Sequence, residues 1–153
     1  MKVERLMGRI NGRLIADMPL CGVFEVAHVA KLPVRRLFAM WRERYGKRAN
    51  WRGRTETEER FDMMKHLGIK YKHVIPMPRF GEWSPITLKD WDYWHATPGE
   101  TYIVETGSHV QILNNGNVAD QYTASSKLGY LPMYNYPRKR CRVCNVVVIK
   151  GGK

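Results

Sequence analysis

The hydrophobic period of this chain changes at Gly99. Before that point apolar residues recur every three or four positions, the spacing of helices, and after it they alternate as in strands. A helical pattern over 21–30 places Val23, Val26, Ala27 and Ala30 on one stripe, and Leu32-Pro33 interrupts it because proline lacks a backbone donor. Pro33 suits the first turn of a second helix reaching about Tyr45, with Leu37, Phe38 and Trp41 on its apolar face. Thr55 and Glu58 stand at capping-box spacing ahead of a third helix over 56–67, and Gly68 stops it. Thr87 and Asp90 open a short helix over 88–94 before Pro98-Gly99. Strands are expected over 101–105 and 108–113, with a return strand from 118 to 122 after the turn Asn114-Asn115-Gly116-Asn117. A β-branched run covers 145–149, and 69–75 reads as an edge strand because Lys70, Lys72 and His73 interrupt it. Helices first and an antiparallel sheet last define an α+β class, and the chain is read as a single domain over 1–153.

At 153 residues and 44% hydrophobic composition there is material for one sizeable core, which excludes collagen-like, disordered and multidomain organisation. No apolar run is long enough to span a membrane, and the first twenty residues lack the apolar stretch of a secretory signal, so a cytoplasmic setting without membrane partners is expected. Three cysteines, Cys21 far from Cys141 and Cys144, make a poor disulfide framework. Lys and Arg number 26 against 14 Asp and Glu, a formal +12 that points to polyanionic company. That charge sits at the ends: residues 1–54 carry a net +9, 55–108 a net −3, and 109–153 a net +6.

The segment Pro19-Leu20-Cys21-Gly22-Val23 places a cysteine at a helix start, where the dipole and unsatisfied amides favour a thiolate. The alternative is a small buried hydrophobe. A thiolate nucleophile needs an imidazole to exchange protons and a third group to orient it. His109 and Asp120 flank the hairpin turn. If Asn115-Gly116 are the turn residues, Gln111 faces Asp120 and His109 is its diagonal neighbour; if Asn114-Asn115 turn, His109 faces Asp120 directly. Either two-residue turn puts imidazole and carboxylate on one face, and a three-residue loop would separate them.

The order of these residues resembles the papain-like thiol peptidase superfamily, particularly its bacteriocin-processing peptidases and cell-wall amidases. Cys21-Gly22 opens a helix in the first quarter, Gly107-Ser108-His109-Val110 opens a strand, and Asn115-Gly116 and Asp120 follow. The chain also resembles small tailed-phage proteins with a Pro-Cys-Gly-Val start, a central segment like Trp51-Arg52-Gly53-Arg54-Thr55 and a terminal Gly-x-His-Val. The resemblance implies a papain-like fold, N-terminal helices packed on a C-terminal sheet, without metal or cofactor. It implies a phage-encoded cysteine hydrolase in the host cytoplasm or the virion, acting on a peptide, isopeptide or cell-wall amide. Cys21 would be nucleophile, His109 general base and acid, and Asp120 the orienting group. Relatives place an oxyanion-stabilising glutamine shortly before the cysteine, where this chain has Ile15 and Asp17. Asn11 and Gln111 are the candidates for that second donor, beside the Cys21 amide.

Competing readings attach to other features. Residues 23–45 superficially match a helix-turn-helix bearing Arg35, Arg36, Arg42 and Arg44, without the usual turn glycine. Arg35, Arg36, Arg138, Lys139 and Arg140 are candidates for non-specific polyanion contact, which would suit a catalytically inactive basic protein bound to nucleic acid or an anionic partner. Cys141 and Cys144 form a lone C-x-x-C with no second pair to complete a zinc site, and read as a pair on an edge strand. Trp83, Trp91, Tyr93 and Trp94 cluster ahead of the hairpin, where they serve either as core or as the wall of a substrate groove.

Overall fold

The computed structural model describes residues 6–74, 86–107, 109–125 and 129–150. Chain order runs through a two-stranded hairpin, β1 (Arg9–Ile10) and β2 (Arg13–Leu14), then three helices, α1 (Cys21–Ala30), α2 (Val34–Arg44) and α3 (Thr57–His66). There follow β3 (Lys70–Val74), α4 (Leu88–His95), β4 (Thr101–Thr106), β5 (His109–Asn114), β6 (Asn117–Ala119), β7 (Leu131–Pro132) and β8 (Asn145–Lys150). Strands β3 to β8 form one antiparallel sheet in the order β3-β8-β4-β5-β6-β7. The architecture is α+β, with helices mainly N-terminal and the sheet mainly C-terminal.

Alternation along the central strands buries both sheet faces, each against a different layer. Ile103, Val110, Ile112 and Val147 join the core of α1, α2 and α3, where Phe24, Leu37, Trp41 and Met64 are buried. Their neighbours Tyr102, Val104, Leu113, Val146 and Val148 point the other way, onto Leu88 and Trp91 of α4 and onto Met133, Tyr136 and Val143. Trp41 and Trp91, one per core, have no exposed surface, and truncating either to alanine would cost about 3–5 kcal/mol.

Several boundaries differ from the sequence expectation for physical reasons. Helix α3 starts later, capped by the pair Glu56 and Glu59, because the Thr55 hydroxyl instead accepts from Arg60 Nη1 at 3.1 Å. The return strand β6 stops at Ala119, where Asp120 Oδ1 accepts the amides of Tyr122 and Thr123 at 2.9 and 2.8 Å and folds the chain into a 3-10 turn. Cys141 and Cys144 precede β8, an interior strand, so they are not on a sheet edge; Cys144 Sγ accepts the Gly107 amide at 3.3 Å. Strand β3 is the edge expected, its far end at Ile75 lying outside the described residues. Trp91 packs edge-on against Tyr102 in the core, Tyr93 and Trp94 are exposed, and Trp83 lies outside the described residues. No helix among the described residues is long and apolar enough to cross a membrane.

Candidate active site

The hairpin between β5 and β6 fixes the site's geometry. Ile112 pairs with Ala119 and Asn114 with Asn117, so Asn115-Gly116 is a two-residue turn, with φ of 50° and 78° at the two positions. Both angles lie in the left-handed region a type I′ turn requires, which Asn and Gly tolerate best. Continued by one pair, this register sets position 111 against 120 and makes His109 the diagonal neighbour of Asp120. His109 Nε2 donates to Asp120 Oδ2 at 2.8 Å, and both side chains are buried. Three further bonds fix the carboxylate. Tyr136 donates its hydroxyl hydrogen to Oδ2 at 2.6 Å, and the Tyr122 and Thr123 amides donate to Oδ1 at 2.9 and 2.8 Å.

Cys21 is the first residue of α1, which opens without a side-chain cap. Since β6 ends opposite Ile112, the start of β5 has only β4 beside it in the sheet, and there the Val110 amide lies near enough to the Cys21 thiol to lower it. The His109 imidazole acts on the same thiol, and its hydrogen-bonding and charge lower it. With Nε2 taken by Asp120, Nδ1 is the ring nitrogen left for it. His109 therefore bridges a thiol on a helix and a carboxylate beyond a hairpin. Its ring also stacks on Tyr122, with centroids 5.7 Å apart.

Electrostatics in this cluster favour the charged pair. Burial alone would raise the Cys21 thiol, but the His109 hydrogen bond and charge, the Val110 amide and the charge of Arg60 together hold it below its ordinary value. Burial pushes His109 down, and its bonds to Asp120 and Cys21 outweigh that and raise it. Asp120, also penalised by burial, is lowered by His109, Tyr136 and the Thr123 amide. Tyr136 is raised by its own burial and by the Asp120 charge, so it stays a hydrogen donor. The Cys21 and His109 shifts both run toward a thiolate beside an imidazolium.

Around the helix start, the close approach of the 51–60 segment dictates sequence. A Cβ on Gly22 would lie 2.1 Å from Thr55 Oγ1 and 3.0 Å from Arg60 Cδ, so no larger residue fits after the cysteine. Arg60 is itself held by Thr55, by Thr57 and by an ion pair with Glu105 at 2.9 Å. Its positive charge reaches Cys21 from that anchored position.

Three contributors were not singled out from sequence. Gln121 accepts the Leu20 amide at 2.9 Å and donates to the carbonyls of Ala16 and Met18, tying the approach to Cys21 to the residue after Asp120. Tyr136 is the second. Glu25, one turn after Cys21, is the third: it is wholly buried, and neither carboxylate oxygen has a hydrogen-bond partner among the described residues. Burial, reinforced by the charges of Asp120 and Cys21, raises it well above the usual carboxylate range. Nothing in local sequence marks these contacts, since Gln121 and Leu20 are 101 positions apart. A polar residue at a helical core position was the only available sign for Glu25.

The remaining sequence candidates lie apart from this cluster or are committed elsewhere. Gln111 is buried, but its amide donates to the Val104 carbonyl at 2.8 Å and to Thr106 at 3.2 Å, so it is no oxyanion donor as placed. Asn11, on the β1–β2 turn, donates to the Ala49 carbonyl at 3.1 Å, and that bond takes it out of the same role. Arg35 and Arg36 are exposed on the first turn of α2, while Arg138, Lys139 and Arg140 lie in the turns between β7 and β8. Lys139 donates to the Tyr134 carbonyl, and Arg44 of the helix-turn-helix reading is paired with Asp62 at 2.9 Å. Among the described residues no three His, Cys, Asp or Glu side chains gather as metal ligands. No family model, no curated protein and no solved structure matches the chain.

Proposed function

We propose that the protein is a cysteine hydrolase of papain-like type, cleaving an amide, peptide or isopeptide bond with Cys21, His109 and Asp120. The feature that carries this reading is one buried imidazole, hydrogen-bonded to Asp120 at 2.8 Å and close enough to the Cys21 thiol to lower it. In the proposed cycle the Cys21 thiolate attacks the carbonyl carbon, and the C–O π pair moves to oxygen. The Cys21 amide at the uncapped start of α1 donates to that oxyanion. Collapse breaks the C–N bond, and the His109 imidazolium gives its proton to the departing nitrogen. A thioester remains. His109 then takes a proton from water, hydroxide adds to the thioester, and Cys21 leaves as thiolate while the acid product departs. Asp120 keeps the imidazole in one tautomer and balances its charge throughout. A host-cell or virion setting and phage origin belong to the same proposal.

The test is alkylation by iodoacetamide, with the three cysteines resolved by peptide mass spectrometry. Cys141 and Cys144 are free and serve as internal references. Cys21 is expected to react faster than both at neutral pH, and His109→Ala is expected to slow it at least tenfold, on the order of 1.4 kcal/mol. An inactive basic binding protein would instead show no dependence of Cys21 labelling on His109 and would retain its binding on Cys21→Ala.

A further inference from the structure

A pocket of about 360 Å³ opens beside the triad, on the Asp120 side. That volume lies within the roughly 300–1,000 Å³ of small-ligand sites. Tyr122, Leu131, Tyr136 and Pro137 form its walls, and their lining surface is almost entirely hydrocarbon. Asp120 also lines it, with both oxygens already engaged: Oδ1 by the Tyr122 and Thr123 amides, Oδ2 by His109 and Tyr136. The charge offered to an occupant is therefore that of Arg138, an exposed lining residue whose guanidinium lies 5.8 Å over the Tyr122 ring. Arg138 has no carboxylate partner among the described residues. An apolar cavity with one guanidinium at its mouth complements an apolar or aromatic side chain next to a carboxylate.

Tyr122 is the link to the chemistry. One face of its ring stacks on His109, and the residue also walls the pocket. The group that receives the His109 proton is the leaving amine, so a pocket that adjoins the imidazole through Tyr122 lies on the leaving-group side of the scissile bond. We infer that this pocket binds the leaving-group segment of an acidic peptide, seating an apolar side chain between Tyr122, Leu131 and Tyr136 and pairing the following carboxylate with Arg138. The leaving-side placement rests on the hydrolase reading; the pocket's ligand class rests on its own walls and charge.

The experiment is an NMR titration of the 15N-labelled Cys21→Ala protein, which cannot turn over, with the amidated dipeptides Phe-Asp, Phe-Asn and Phe-Lys. Phe-Asp is expected to shift the amides of Tyr122, Thr123, Leu131 and Arg138, and to bind at least about tenfold more tightly than Phe-Asn, with Phe-Lys weaker still. Arg138→Gln, at an exposed position, is expected to keep the fold and abolish the preference for Asp over Asn. Shifts confined to other parts of the chain, equal binding of Phe-Asp and Phe-Lys, or an undiminished preference in Arg138→Gln would overturn the ligand assignment. Because this titration needs no catalysis, failure of the hydrolase reading shows separately, as Cys21 labelling that ignores His109. Dipeptide binding together with that result would overturn only the leaving-side placement.

Discussion

Tyr136 and His109 converge on the same oxygen of Asp120, the hydroxyl at 2.6 Å and the imidazole nitrogen at 2.8 Å. Sixteen residues separate Tyr136 from Asp120, and the tyrosine comes from the segment covering the sheet face opposite α1. The Asp120 carboxylate is thus tied both to a strand residue and to the segment that covers the far sheet face. Tyr136→Phe keeps the ring and removes the donor. Losing one net hydrogen bond to a charged group should destabilise the fold by about 1.5–3 kcal/mol at neutral pH. Asp120 owes part of its depressed pKa to that hydroxyl. A group with a lowered folded pKa contributes stability above its unfolded value, here near 3.8, and loses it as pH falls through the folded value. The variant should lose part of that contribution, so its penalty in melting temperature should shrink below about pH 4.

Gln121 makes a separate prediction, because it touches the backbone leading to Cys21 without touching the sulfur. Gln121→Ala removes the bonds to Ala16, Met18 and Leu20 that set where α1 begins. A displacement of about 1 Å is worth as much as a hundredfold in rate. We expect Cys21 alkylation to slow by about ten- to a hundredfold while the circular dichroism spectrum is unchanged. Equal labelling of variant and parent would remove Gln121 from the positioning of Cys21.

Glu25 predicts a pH dependence of stability with the opposite sign from Asp120. Its folded carboxyl holds a proton that the unfolded chain releases near pH 4.5, so the native state binds more protons and stability falls as pH rises above that value. Its charged neighbours in this balance are Asp120 and Cys21, which raise it, and Arg60, which lowers it. Glu25→Gln removes the ionisation. It should flatten this part of the stability profile and melt higher than the parent at pH 7 to 8, as read by calorimetry across the pH range.

Gly22→Ala tests the close approach of Thr55 and Arg60 to the helix start. The added methyl has no room unless both side chains move. Overpacking of this kind costs about 1–3 kcal/mol, and moving Arg60 withdraws a charge that favours the thiolate. Lower stability together with slower Cys21 labelling is the expected result, from chemical denaturation and the alkylation assay.

What was legible in the sequence was local. The Asn115-Gly116 turn fixed the pairing that makes His109 and Asp120 diagonal neighbours, and Pro33, Gly68 and the 21–30 periodicity located the first three helices within a residue or two. The capping pair of α3 was misplaced by one residue because Thr55 is claimed by Arg60, a contact no spacing rule encodes. Residues 131–143 carry neither helical nor strand periodicity, yet they supply Met133, Tyr136 and Val143 to the second core and Arg138 to the pocket. Their value comes from partners distant in sequence, and so does that of Gln121 and Glu25.

The central claim is that His109 and Cys21 share one proton as an imidazolium–thiolate pair. It is tested most directly by the pH dependence of Cys21 alkylation in the intact protein. Cys21 should react as a thiolate with an apparent pKa below the ordinary 9.0 of a thiol, and a further step should appear above 6.5 as the raised His109 loses its proton. In His109→Ala the profile should return to a single titration at higher pH. A parent profile with one step at or above 9.0, unchanged by His109→Ala, would contradict it.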